Sequence, residues 1–245
     1  MPSLLNGIVS IYVSRVRASA APAGGACSWA FSQALSPVSD IIGTFAATRN
    51  GICELLSAKW IECHAHGSSL AAWLGNPIDP SKIRMMMQFF AIGATMNPLH
   101  MVEWEGANVA RSEQTMATRL YLAARGVQMM AGGQRAGEGV VSKKQARGTG
   151  MRRVLAHNLA LGIVSSQHPY VTIGAWGPGG AHAMAAYVGG AGVTFFDPNF
   201  GDFTFATKAQ FVDWFGTFWH RSFYGNPFQG LGDSTEICEY APGAI

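Results

Sequence analysis

"HAMAAYVGGAGVTFFDPNFGDF", residues 182–203, alternates short apolar and aromatic runs with glycine-rich breaks. HAMAAYV (182–188) and VTFFD (193–197) flank GGAG, and PNFG separates VTFFD from DFTF (202–205). Runs of this length, broken by turn residues, predict an antiparallel hairpin followed by a second tight turn. His182 opens the first strand and Asp197 closes the second. With the turn at GGAG the two residues pair almost directly across the hairpin, on one face and within hydrogen-bond reach.

Outward from this hairpin, YVTIGAW (170–176) and the turn GPGG predict one strand more on its N-terminal side. ATKAQFVDWFGTFWH (206–220) predicts a closing helix with Phe211, Trp214, Phe215 and Phe218 on one face. Earlier in the chain the period changes. In RNGICELLSAKWIECHAHGSSL (49–70), Ile52, Leu55, Leu56, Lys59, Trp60 and Cys63 recur at three and four, the spacing of one helical face. Asp79-Pro80-Ser81 supplies cap and first-turn chemistry ahead of another apolar run, and residues 108–130 are rich in good helix formers. Residues 131–150 hold six glycines and a basic excess, which predicts a loop of the kind used as a lid or binding segment. Helices first and strands later predict an α+β fold. Residues 1–26, ending in ASAAPAGGA, are expected as a flexible arm, and 27–245 as a single domain.

Composition narrows the function classes. Hydrophobic residues make up 49% of the chain and charged residues 13%, so the fold must bury much of itself and disorder is excluded for most of it. A formal charge of +3 without an aromatic-interleaved basic stripe gives no reason to expect nucleic acid. No apolar run approaches the ~18 residues of a spanning helix. The arginines near the N-terminus follow the apolar patch there, which does not fit a cleaved signal peptide. Cys27, Cys53, Cys63 and Cys238 are too sparse for a disulfide scaffold. Reduced thiols are expected, in a reducing compartment or in a protein exported without a cleavable signal.

A thiol is catalytic when its thiolate is populated, and a helix N-terminus favours that negative charge. Cys53 occupies such a position, just after Asn50-Gly51. A histidine must take the thiol proton and a carboxylate must orient that histidine, which His182 and Asp197 can do. Cys27, in GGACSWAFSQ (24–33), is a rival nucleophile, but Pro37 ends its element early. Cys63, His64 and His66 are crowded onto a helix end without a second spaced pair, so they do not read as zinc ligands. His157 and His168 have no carboxylate at a telling spacing and read as structural. No cofactor or metal is expected.

NGICELLSAKWI, HAMAAYV and FFDPNFGDF together resemble the YopT and AvrPphB family of papain-fold effector cysteine proteases. That family's blocks are a Gly-x-Cys helix start with a downstream Trp, a His-Ala strand and an Asp-Pro-Asn-x-Gly turn. The resemblance implies a papain-like fold with Cys53 as nucleophile, His182 as general base and then acid, and Asp197 as the orienting group. It further implies a bacterial effector secreted without a signal peptide, acting in the cytoplasm of a target cell on a protein or peptide, with self-cleavage of the N-terminal segment in some members. A secretion chaperone or an immunity protein would be its natural partner. Two departures stand out. Thr48 and Ala47 occupy the positions where papain-like enzymes carry an oxyanion-holding amide, which leaves Asn50 and the Cys53 backbone N–H for that task. Met1-Pro2 lacks the glycine of an acylation signal, so no membrane anchor of that type is implied. Transglutaminases, glutamine deamidases and cell-wall amidases use a similar set of groups and are the alternative chemistry. A non-catalytic binding module on the same fold is the other rival.

Overall fold

The computed structural model describes residues 4–45, 48, 51–95, 118–136, 149–226, 230–232 and 234–243. The chain divides into two compact units, Met1–Ser32 with Met129–Ala241 and Gln33–Gln128 with Pro242–Ile245.

The first unit contains the sheet. Its strands are β1 (Ala26–Trp29), β2 (Val127–Ala136), β3 (Tyr170–Gly177), β4 (Gly180–Val188), β5 (Val193–Asp197), β6 (Gly201–Phe205) and β7 (Ser234–Pro242), in the order β1-β6-β5-β4-β3-β7-β2. The β1–β6, β6–β5, β5–β4, β4–β3 and β3–β7 pairings are antiparallel. GGAG does connect β4 to β5, with Val188 opposite Val193. The register then places Ala185 opposite Phe196, so that His182 and Asp197 are diagonal neighbours on one face and not a direct pair. Diagonal partners two residues out of step remain within reach of long side chains.

One face of this sheet is closed by aromatic packing. Helix α8 (Lys208–Arg221) starts with a capping box, Thr207 accepting from the Gln210 N–H and Gln210 accepting from the Thr207 N–H. Phe211, Trp214, Phe215 and Phe218 are buried on its inner side, as their spacing predicts. Their rings and that of Phe203 surround Phe195 at centroid distances of 5.3–6.3 Å. Helix α7 (Thr149–Val164) packs against α8 and β4. Its buried Ala156, Leu159, Ala160 and Ile163 fall at helical spacing, in a stretch to which the sequence reading assigned no element. β7 was not anticipated either. Ile237, Cys238, Glu239 and Tyr240 are all buried, so β7, which lies between β3 and β2, lacks the in–out alternation of a half-exposed strand.

The expected flexible arm is instead packed. Helix α1 (Leu4–Arg17) buries Val13 and Val16 and contacts α8. Arg17 donates from Nε to the Phe200 carbonyl (2.8 Å) and from Nη2 to the Phe31 carbonyl (2.7 Å). Ser19 accepts from the Trp214 indole at 2.9 Å. Small residues had suggested looseness, but these bonds fix the segment on the aromatic core.

The second unit is helical: α2 (Val38–Ile42), α3 (Cys53–Ala65), α4 (Leu70–Leu74), α5 (Pro80–Thr95) and a helical segment at 118–123 (α6). α5 starts where the sequence indicates, with Asp79 Oδ1 accepting from the Ser81 N–H and hydroxyl at 2.8 and 2.7 Å. The long helix expected over 108–130 is described only from 118. It stops before Gly126, whose φ of +73° turns the chain into β2. Residues 131–136 of the expected loop belong to β2, 149–150 open α7, and 137–148 lie outside the described residues. Among the described residues no helix is long and apolar enough to cross a membrane.

Candidate active site

The hairpin register sets His182 beside Asp197, with Nε2 and Oδ1 3.0 Å apart. Both are buried, Asp197 completely and His182 with 7% exposure, which shields their interaction from water. Asp197 ends β5, and the DPNFG turn wraps around its carboxylate. The Asn199 N–H donates to Oδ1 at 2.7 Å, while the Phe200 N–H donates to the Asp197 carbonyl at 2.9 Å. The Tyr224 hydroxyl donates to Oδ2 at 3.1 Å and accepts from Asn199 Nδ2 at 3.0 Å. Gly201, at φ +107°, closes this turn next to the Trp29 carbonyl, where a Cβ would clash with backbone. A carboxylate with several fixed donors is held in one orientation, as a group that orients an imidazole must be.

In the helical unit Cys53 is the first residue of α3 and half-buried. Gly51, at φ +113°, makes the turn that leads into the helix. The Ile52 N–H at this helix start is taken by Gln33, whose Oε1 accepts it at 3.0 Å. Gln33 is itself buried, and a Cβ at Gly51 would meet its amide at 3.3 Å. Its role was not foreseen. It stands twenty residues before Cys53, in a string quoted only for Cys27, and local spacing cannot show which distant amide folds back onto a helix start. Asn50 lies outside the described residues. Thr48 is buried, and its hydroxyl donates to the Ile42 and Phe45 carbonyls at 3.0 and 3.2 Å, which commits it to the backbone.

The other sequence candidates separate clearly. None of the four cysteines forms a disulfide. Cys27 lies in β1, with its thiol against the Trp29 carbonyl, and burial pushes its pKa up. Cys63 is buried in α3 with its thiol pushed up to about 11, chiefly by burial. His64 packs on Trp60 at 5.3 Å and burial lowers its pKa, while His66 Nδ1 meets the Glu62 carbonyl at 2.8 Å. Among the described residues no three His, Cys, Asp or Glu side chains converge as metal ligands would. His157 is exposed, and the His168 N–H donates to Glu239 at 3.2 Å.

The crystal structure of the Pseudomonas avirulence protein AvrPphB superposes with a TM-score of 0.50 at 14% identity, covering 80% of this chain and 94% of that one. Likeness at this level defines the fold, α+β and papain-like, as expected. The family model described as Yersinia/Haemophilus virulence surface antigen matches residues 39–232. Cysteine protease YopT of Yersinia enterocolitica is 30% identical over 246 aligned positions, 98% of this chain and 72% of YopT. The adenylyltransferase and cysteine protease IbpA of Histophilus somni is 29% identical over 89% of this chain and 5% of its own length. The chain therefore belongs to the Yersinia/Haemophilus virulence surface antigen family, and it is a cysteine protease.

Proposed function

We propose that the chain is a secreted bacterial effector that hydrolyses a peptide bond in a target-cell protein with Cys53, His182 and Asp197. The observation that carries this is the buried His182–Asp197 pair at 3.0 Å. With Nε2 on Asp197, the reading assigns Nδ1 to proton exchange. The reading assigns the Cys53 thiol to exchange its proton with that nitrogen, with residues 27–245 as the catalytic domain. His182 takes the thiol proton, and the thiolate attacks the scissile carbonyl carbon. The resulting oxyanion is held by the Cys53 N–H and a side-chain amide. His182 then passes its proton to the leaving amine as the C–N bond breaks. Water, deprotonated by the same imidazole, attacks the thioester, and the acid product leaves as the thiol is restored.

Two amides qualify as the side-chain donor. Asn50 is the one the sequence suggests. Gln33 is supported by geometry: its Oε1 is engaged by Ile52, which fixes the amide plane at the helix start with Nε2 as the donor. Incubating wild type and Cys53→Ala with a target-cell lysate and sequencing new N-termini tests the reaction. Ammonia release without backbone cleavage would instead favour deamidation or acyl transfer.

Self-cleavage near residues 18–25 is a subsidiary part of the proposal, supported by the small residues there. Ala20 is buried, and the Gly25 N–H donates to its carbonyl at 3.1 Å, so a cut would need this stretch to open first. An intact N-terminus on active protein would exclude it. Export without a cleavable signal and assistance from a secretion chaperone or an immunity protein belong to the same proposal, by likeness to the family.

A further inference from the structure

Helix α8 ends in an unusual way. A helix that closes with a left-handed residue normally uses glycine there, yet Phe223 holds φ +58°. Left-handed backbone is disfavoured for any residue with a Cβ, and a bulky aromatic is an outlier that surrounding contacts must enforce. The contacts are present. The Phe223 N–H donates to the His220 carbonyl (3.2 Å), the Gly225 N–H to the Trp219 carbonyl (3.0 Å), and the Leu231 N–H to the Tyr224 carbonyl (2.7 Å). Phe223 itself is largely exposed and leans on Tyr12 of α1, at 5.4 Å between rings.

The turn sends the next residue inward. Tyr224 is buried, its ring 5.2 Å from the His182 imidazole and 5.9 and 5.5 Å from Phe218 and Trp219. Its hydroxyl reaches Asp197 Oδ2 at 3.1 Å while accepting from Asn199. One side chain thus touches both members of the histidine–carboxylate pair by two different interactions. Burial and the neighbouring carboxylate hold its pKa well above the ordinary tyrosine value, so it remains a neutral donor.

We propose that Tyr224 is a positioning residue for hydrolysis, aimed by the left-handed turn at Phe223, which fixes the imidazole plane with its ring and the carboxylate with its hydroxyl. The proposal rests on the reading that His182 serves Cys53. Neither the sequence motifs nor the family blocks include this residue, which lies 27 positions beyond Asp197.

The test uses the full chain with Tyr224→Phe, which keeps the ring, and Tyr224→Leu, which keeps neither interaction. Two readouts are taken: the rate at which iodoacetamide alkylates Cys53 at mildly acidic pH, followed by mass spectrometry of that peptide, and the downfield proton resonance of the His182 ring N–H. Thermal unfolding of each variant corrects for lost fold. Alkylation is expected to slow roughly tenfold in Tyr224→Phe and further in Tyr224→Leu, because a hydrogen bond to a charged group is worth about that factor or more. The resonance is expected to shift in Tyr224→Phe and to broaden away in Tyr224→Leu. If His182→Ala alkylates as fast as wild type, the underlying reading fails. If His182→Ala is slow but Tyr224→Phe matches wild type in both rate and resonance, Tyr224 only fills space and the inference is overturned.

Discussion

The side chains proposed to carry the chemistry were unequally visible in the sequence. His182 and Asp197 could be read from it because a hairpin obeys a two-residue period, and strands of this composition leave little freedom in where the turn falls. Their diagonal offset could not, because it depends on where the ladder register settles. Gln33 was invisible for a different reason: its contact with Ile52 is made through the fold and not through spacing. Gln33→Ala is expected to lower kcat by about 10²–10³-fold, the usual loss for an oxyanion donor, with a smaller change in KM. Steady-state kinetics alongside Asn50→Ala will show which amide does this. Replacing Asp197 with Asn should cost roughly 10²–10⁴-fold in kcat through misoriented acid–base chemistry. Among the thiols, burial holds Cys27 and Cys63 protonated at neutral pH, Cys63 up to about 11. Alkylation followed by peptide mapping near pH 7 is expected to label Cys53 well before either. Preferential labelling of Cys27 would restore it as the rival nucleophile.

Secondary-structure elements with one dominant period were read correctly, and those with competing signals were not. α3 and α8 carry apolar stripes at three and four, and their first residues fall where turn and cap chemistry begin. β2 defeated the reading because Val127-Gln128-Met129-Met130 continues a run of helix formers, while Gly126 breaks it with a positive φ that propensity does not report. β7 reads poorly as a strand because the successive residues Ile237, Cys238, Glu239 and Tyr240 are all buried, which removes the in–out alternation. The turn before α3 offers a direct check. Gly51 sits at φ +113°, so Gly51→Ala forces a disfavoured backbone and presses on Gln33. The variant is expected to lose about 1–2 kcal/mol of stability by denaturant melt, together with activity. A variant as stable and active as wild type would mean that the helix start tolerates a different turn.

Taken as a whole, the molecule combines a sheet unit stabilised by clustered aromatic rings with a helical unit whose helix α3 begins at Cys53. The α+β class followed from the order of elements, but the packing of residues 4–26 did not, because Arg17 and Ser19 act through partners nearly two hundred residues away. Phe195→Ala removes the ring that five others surround, and is expected to destabilise the protein by about 3–5 kcal/mol in equilibrium unfolding. The central claim is that one thiol, one imidazole and one carboxylate cut protein backbone together. The most direct measurement is a comparison of new N-termini in target-cell lysate treated with wild type, Cys53→Ala, His182→Ala and Asp197→Asn. Discrete cleavage sites made by the wild type, absent with Cys53→Ala and His182→Ala and strongly reduced with Asp197→Asn, are the predicted result. The same sites appearing with Cys53→Ala at wild-type yield would contradict the account.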